Sequence, residues 1–321
     1  MKGQSTMSTD ALRRRHRVSN LPTTVGIQGG VRRRREIFWF YLFILPWIVG
    51  FLAFIAYPVV ASLYFSFTRY DVISAPKWVG LANYSSLLHS HLFFRSLAVT
   101  VYYTVLAVPG SLFLGLAAAS LLNMRIRGMR FFRTIYYLPT LVPAVAGALL
   151  WEWLLNPQFG LINFALHRFF GIQGPNWLGS QAWVIPAIVL MSLWGFAGSM
   201  VIYLAAMQGL PQVLYEAARI DGGGGAVLFR RITFPLLTPV IFFTLILGVI
   251  GSFQIFTQVY VLTQGGPHYA SYFYNLYLYQ NAFQFFKMGL ASAQAWILFV
   301  LILLLTLAMF KTSGSWVRYD R

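Results

Sequence analysis

PQVLYEAARIDGGGGAVLFRRITFP, residues 211–235, is the only strongly polar segment in the second half of the chain, and an apolar run flanks it on each side. Pro211 stands where a first helical turn tolerates proline, because the missing N–H would have no partner there. Val213, Leu214, Ala217 and Ile220 then share one helical stripe, and the four-glycine run that begins at Gly222 stops the helix. Glu216 and Asp221 are two of only seven acidic residues in the protein, and they sit among Arg219, Arg230 and Arg231. A short helix that is small at Ala217 and Ala218 and carries a carboxylate near an arginine is shaped to be gripped by another protein. The alanines permit close approach, and the charges give directional contacts. EAAR alone is ordinary helix-forming sequence, so a solvated loop is the competing reading of that tetrapeptide.

Composition makes the flanks a membrane protein. Of 321 residues, 58% are hydrophobic and 10% are charged, where soluble domains carry about 25% charge. With no cysteine, disulfides, thiolate metal sites and a cysteine nucleophile are excluded. The net charge of +17 does not point to nucleic acid, because the basic residues lie in the gaps between apolar runs rather than on one face.

Residues 1–36 are polar and basic and read as a disordered tail. A first span is expected at 38–57, closed by Pro58. The segment 59–95 mixes polar and aromatic groups, and its His89 and His91 lack the carboxylate or third histidine that a metal site needs. A second span at 96–124, interrupted by Pro109 and Gly110, runs into a basic loop with Arg125, Arg127, Arg130 and Arg133. The third, 134–155, opens with Pro139 and Pro143, which predict a kink or an unwound stretch facing protein or water and so a substrate path, or else a tolerated kink. Glu152, between Trp151 and Trp153, fits an interface position.

A fourth span is expected at 183–207. Its Gly195 and Ser199 form a small-residue packing pair, and Trp194 with Gly195 and Gly198 leaves room for a sugar ring against an indole. The fifth, 239–262, carries Gly248, Gly251, Ser252, Gln254 and Gln258, an unusually polar set for a bilayer span. The aromatic stretch 268–287 reads as an interfacial belt, with contact to a binding protein as the alternative, and 288–310 is a sixth span. With both termini inside, the cytoplasmic Lys and Arg are nine in the tail, four after the second span, three in the opening stretch and three at the C-terminus. Arg69, Lys77, Arg95, Arg168 and Lys287 remain outside, the bias that positive-inside topology requires.

The spacing in the opening stretch resembles the signature of permease subunits of binding-protein-dependent ABC importers: EAA, three residues, Gly, nine residues, Ile, one residue, Leu-Pro. Here Glu216-Ala217-Ala218 is followed by Gly222, Ile232 and Phe234-Pro235, with Phe234 the one departure. YEAARIDG, the W-x-G-L-x-N-Y run at 78–84 and the Y-x-L-T-x-G-G-P run at 260–267 resemble the carbohydrate branch, in its maltose-type first permease.

The resemblance implies an all-α integral membrane protein of the bacterial or archaeal cytoplasmic (inner) membrane. It implies six transmembrane helices in a permease domain at 37–311, a coupling loop at 208–236 and a cytoplasmic tail at 312–321. It also implies a cytoplasmic coupling helix that docks on the ATP-hydrolysing subunit through Glu216, Ala217, Ala218, Arg219, Asp221 and Gly222. Sugar contacts are implied at Thr140 and Ala144, at Met191, Trp194, Gly195 and Gly198, and at Gly248, Ser252 and Ile255. The implied partners are a second permease, two ATP-binding cassette subunits, an extracytoplasmic sugar-binding protein and the lipid bilayer, with no nucleic acid and no cofactor or metal. The chain carries no G-x-x-x-x-G-K-[ST] phosphate loop, no HExxH and no serine elbow, so the reading is non-enzymatic, with ATP hydrolysed elsewhere. An ion-coupled secondary transporter is the alternative, for which Glu152 is the only candidate intramembrane acid. A membrane-embedded enzyme lacks any catalytic constellation.

Overall fold

A computed structural model describes residues 29–318 apart from 125–126. The described residues up to Val60 and those from Ala61 on form two compact units. Residues 1–28 of the tail expected to be disordered lie outside the described residues. From Gly29 the backbone is already helical, since the arginine run is made of good helix formers and simply extends the apolar helix. Helix α1 (Gly29–Phe51) passes through a π turn (Leu52–Ala56) into α2 (Tyr57–Ser66). Pro58 therefore does not close the first helix as expected. The Tyr57 N–H bonds Leu52 O, five residues back, and this wider turn admits a proline that cannot donate.

Strands β1 (Thr68–Arg69) and β2 (Lys77–Trp78) pair antiparallel, and α3 (Ala82–Leu88) follows. The 78–84 motif acts here as a clasp. Asn83 Nδ2 donates to Ser66 O (2.9 Å) and Thr68 O (2.8 Å), Tyr84 OH donates to Ser66 Oγ (2.8 Å), and Trp78 stacks on Phe67. Helix α4 (His91–Leu122) is capped by Ser90, whose side chain accepts the Phe93 N–H. After it, α5 (Met129–Tyr137) and a 3-10 turn (Leu138–Leu141) meet α6 (Ala144–Leu154) at a bend of 99°. Pro139 and Pro143 bracket the unwound residues, so the expected kink is a sharp break. Helix α7 (Leu161–Phe170) ends on Gly171 at φ +66°.

Helices α8 (Val184–Leu193) and α9 (Ala197–Gln208) form one run joined by a 3-10 turn at 194–196. Then come α10 (Gln212–Ile220), α11 (Gly225–Leu228), a π turn (Phe229–Thr233), α12 (Phe234–Phe253) and α13 (Thr257–Leu262). The chain closes with α14 (Tyr274–Tyr279), a π turn (Gln280–Gln284) and α15 (Met288–Ser313). Among the described residues, five runs are long and apolar enough to cross a membrane: Glu36–Ser66, His91–Leu122, Val184–Gln208, Gly225–Leu262 and Met288–Ser313. The bent α5–α6 pair makes a sixth when counted as one span. The fifth run starts at Gly225, well before the expected residue 239: the Phe234 N–H bonds Phe229 O, five residues back, and this π turn carries the run through Pro235 into α12, with Pro239 inside that helix.

Between membrane helices, close backbone approach does the work that burial from water does elsewhere. A Cβ on Gly115 of α4 would lie 2.2 Å from Ser199 Oγ and 3.3 Å from Met200 N of α9. Buried hydroxyl pairs add direction: Tyr103 OH donates to Ser192 Oγ (2.7 Å), and Tyr203 OH meets Thr244 Oγ1 (2.5 Å). The aromatic stretch 268–287 is not an exposed belt throughout. Phe273, Tyr274 and Leu276 are fully buried, and the Tyr274 N–H donates to Thr100 Oγ1 of α4. Burial pushes the Tyr272 hydroxyl above the ordinary phenol range, and it donates to Gln280 Oε1. Tyr269, Phe283, Phe285 and Phe286 do remain exposed. The C-terminal segment docks as well, with Val317 buried and the Arg318 N–H on Thr238 Oγ1 (3.0 Å).

Candidate functional site

The opening stretch folds as its glycine pattern requires. Pro211 is the extended residue before α10. At the other end Gly222 takes φ +81°, its N–H bonds Arg219 O (3.0 Å), and the Gly223 N–H bonds Ala218 O (2.8 Å). That pair of bonds is a Schellman closure, which needs a left-handed residue at Gly222. Gly223 has its own constraint, since a Cβ there would sit 2.6 Å from Ala218 O. Tyr215 OH, 2.8 Å from Thr233 Oγ1, ties α10 to the start of α12.

What α10 leaves uncovered is informative. Val213 is 72% exposed and Ile220 86%, and Glu216, Ala217, Arg219, Asp221 and Gly222 are exposed as well, with Ala218 half-buried. Among the described residues no ion pair forms, so these charges have no carboxylate–guanidinium partner there. An amphipathic helix with its apolar stripe facing outward and its charges unpaired is a surface awaiting a partner.

The second feature is a cavity of about 590 Å³ where two helix breaks converge. Ala144 opens α6 directly after the first break, while Gln254, Ile255 and Phe256 are the second break, between α12 and α13. The segments beyond the breaks, α6 and α13, pack on each other. The second break frees the Gln254 carbonyl, which accepts Asn275 Nδ2 at 3.0 Å. Hydroxyls of Ser111, Ser192, Ser199 and Thr244 and the amide of Gln258 line the space, and no charged side chain is among its lining residues.

Of the nine positions expected along a substrate path, Ala144, Gly248, Ser252 and Ile255 line this cavity. Thr140, Met191, Trp194, Gly195 and Gly198 are not among its lining residues. Met191 and Trp194 belong to a separate apolar cluster, in which the Trp194 ring packs edge-on against Trp151 at 6.1 Å. The indole beside the two glycines packs against a neighbouring ring, and Ser199 meets Gly115 of α4. Thr140 Oγ1 is held by Tyr137 O in the 3-10 turn. The second break, with Gln254 and Thr257, was missed as a site. The polar run on the fifth span was its only signal, because no proline marks it.

Residues 111–318 match the family described as the inner membrane component of binding-protein-dependent transport systems. Over 285 residues, 87% of this chain and 92% of the relative, the chain is 41% identical to the probable ABC transporter permease protein YesP of Bacillus subtilis (strain 168). It is 38% identical over 274 residues to the trehalose/maltose transport system permease protein MalF of Thermococcus litoralis, covering 84% of this chain and 92% of that protein. The fold is shared with a chain in the crystal structure of a bacterial ABC transporter involved in the import of the acidic polysaccharide alginate, with a TM-score of 0.80 at 22% identity, over 90% of this chain and 99% of that one. The chain belongs to the family of inner membrane components of binding-protein-dependent transport systems, and it is a multi-pass permease subunit.

Proposed function

We propose that this permease forms one half of the translocation pathway for a sugar or related polyol, with α10 as its coupling helix. The observation that carries the reading is the outward-facing, unpaired surface of α10, set on the EAA–Gly spacing and closed at Gly222. The permease domain spans 37–311, and both termini and the 208–236 loop lie in the cytoplasm, where the positive-inside rule favours them. A second permease completes the pathway, an extracytoplasmic binding protein delivers the sugar, and two ATP-binding cassette subunits hydrolyse ATP, which this chain does not. The likeness to a trehalose/maltose permease supports the sugar class. So does the cavity, where hydroxyl and amide groups without charge suit a polyhydroxy solute.

The docking residues are Glu216, Ala217, Ala218, Arg219, Asp221 and Gly222. Within this chain the substrate path narrows to Ala144, Gly248, Ser252 and Ile255. Glu216→Ala and Gly222→Trp should leave the permease in the membrane but release the ATPase subunit and stop uptake, since losing a charge-assisted contact at an interface costs about 2–5 kcal/mol. Ser252→Leu should instead cut uptake about tenfold with the ATPase still bound, by leaving a solute hydroxyl unpaired. Normal ATPase retention and full uptake in both docking variants would sink the coupling reading, and parental uptake in Ser252→Leu would sink the pathway.

A further inference from the structure

A second cavity, of about 1140 Å³, lies against α10. Its walls come from the end of α4 (Asn123, Met124), the start of α5 (Arg130, Arg133), the end of α9 (Met207, Gln208) and the inner side of α10, where Tyr215, Glu216 and Arg219 line it. Three guanidiniums thus face one carboxylate, and among the described residues none of them is in an ion pair. Arg133 is fixed: its Nη2 donates to Leu122 O at 2.9 Å and caps α4, while its buried Nε has no partner. Arg130 lies one turn earlier on the same helix face and is exposed.

Positive-inside topology accounts for basic residues somewhere in the 125–133 loop, but not for this arrangement. That rule is met by lysine as well as arginine, yet all four basic residues of the loop are arginine, the side chain whose fork matches carboxylates in bidentate pairs. Nor does the rule require Arg130 and Arg133 to converge on the helix that carries Glu216 and Arg219.

We propose that this cavity is a receptor for an acidic segment of the ATP-hydrolysing subunit, so that the dock has two parts: the outer face of α10 and the basic hollow behind it. The inference rests on the coupling reading of α10. A lone inorganic anion is far too small for the space, and α10 itself forms one wall of it. Aspartate or glutamate side chains entering it pair with Arg130 and Arg219, leaving Arg133 to hold the wall.

The test uses the full importer, with its ATPase subunit as the probe and its retention on the tagged permease measured across a sodium chloride titration. Arg130→Glu should reduce retention about tenfold at low salt and flatten its salt dependence, while Arg130→Lys, which keeps the charge but loses the bidentate fork, should fall between the parent and Arg130→Glu. If Arg130→Glu proves absent from the membrane, Arg130→Gln takes its place with the same expected direction. Parental retention and salt slope in Arg130→Glu, with Glu216→Ala still releasing the subunit, would overturn this inference and leave the coupling reading standing. Retention in both variants would overturn both. The titration is repeated in nanodiscs with and without phosphatidylglycerol. An Arg130→Glu effect that vanishes without the anionic lipid would assign the hollow to lipid headgroups and overturn the proposal.

Discussion

Gly115→Ala tests whether close backbone approach holds the bundle together. The new Cβ would sit 2.2 Å from Ser199 Oγ, 3.1 Å from Ser199 Cβ and 3.3 Å from Met200 N. The hydroxyl can rotate away, but only by giving up its 2.8 Å bond to Phe196 O, and the contact with Met200 N is backbone and cannot rotate. Helices α4 and α9 must therefore move apart. Overpacking of this kind costs about 1–3 kcal/mol, and alanine returns up to about 1 kcal/mol through its better helix propensity, so a net loss of roughly 1–2 kcal/mol is expected. Gly198→Ala, on the same helix as Ser199, is the control: its Cβ meets nothing within 4 Å, so only the propensity gain applies. Thermal midpoints of detergent-solubilised protein, read by fluorescence-detected size exclusion, should fall by several degrees for Gly115→Ala and stay level or rise for Gly198→Ala. Ser199→Gly placed in the Gly115→Ala background should recover part of the loss. Equal midpoints for the two alanine variants would refute the argument.

Asn83→Ala should destabilise the fold by about 1–3 kcal/mol, because it strips hydrogen bonds from the Ser66 and Thr68 carbonyls of two fully buried residues; an unchanged thermal midpoint would show that the clasp carries no stability. Cysteines introduced at Ser5 and Ser315 should both react with membrane-impermeant maleimide only from the cytoplasmic face, and labelling of either from the opposite face would invert the topology.

The sequence carried the spans well, because uninterrupted apolar runs between basic loops leave little choice of element. It also carried α10, whose stop at Gly222 follows from a left-handed requirement that glycine alone meets cheaply. Breaks were legible only where proline made them. Pro139 and Pro143 announced the 99° bend, whereas the break at Gln254 rests on tertiary contacts, such as the Asn275 amide, that no local pattern records. Pro58 misled in the other direction, since a π turn absorbed it. Trp194 was ambiguous, because an indole beside glycines suits a ligand or a neighbouring ring equally well, and only the fold shows Trp151 beside it. The aromatic stretch 268–287 is a belt only in part for the same reason: tyrosine suits an interface or a buried hydrogen bond, and Tyr274 found Gln294 O.

The two proposed sites are joined by one element. Tyr215 ties α10 to Thr233, and from there α12 runs 20 residues to Phe253, about 30 Å at the helical rise, where the break at Gln254 meets the cavity. Along the way Gly248 approaches Val108 of α4, with a Cβ there only 3.2 Å from Val108 Cγ1, and Thr244 meets Tyr203 of α9. In the proposed importer, a displacement imposed on α10 therefore reaches Ser252 and Ile255 through one continuous helix, with Pro239 its interior proline, braced on both neighbours beyond that point. The helix ends at the break, whose residues line the cavity, so a change of shape there alters it. A flexible joint inserted earlier in α12, between the tether and Thr244, would spend the movement before it arrived. That is the physical reason for the long run without interruption on one side and the unwound residues on the other.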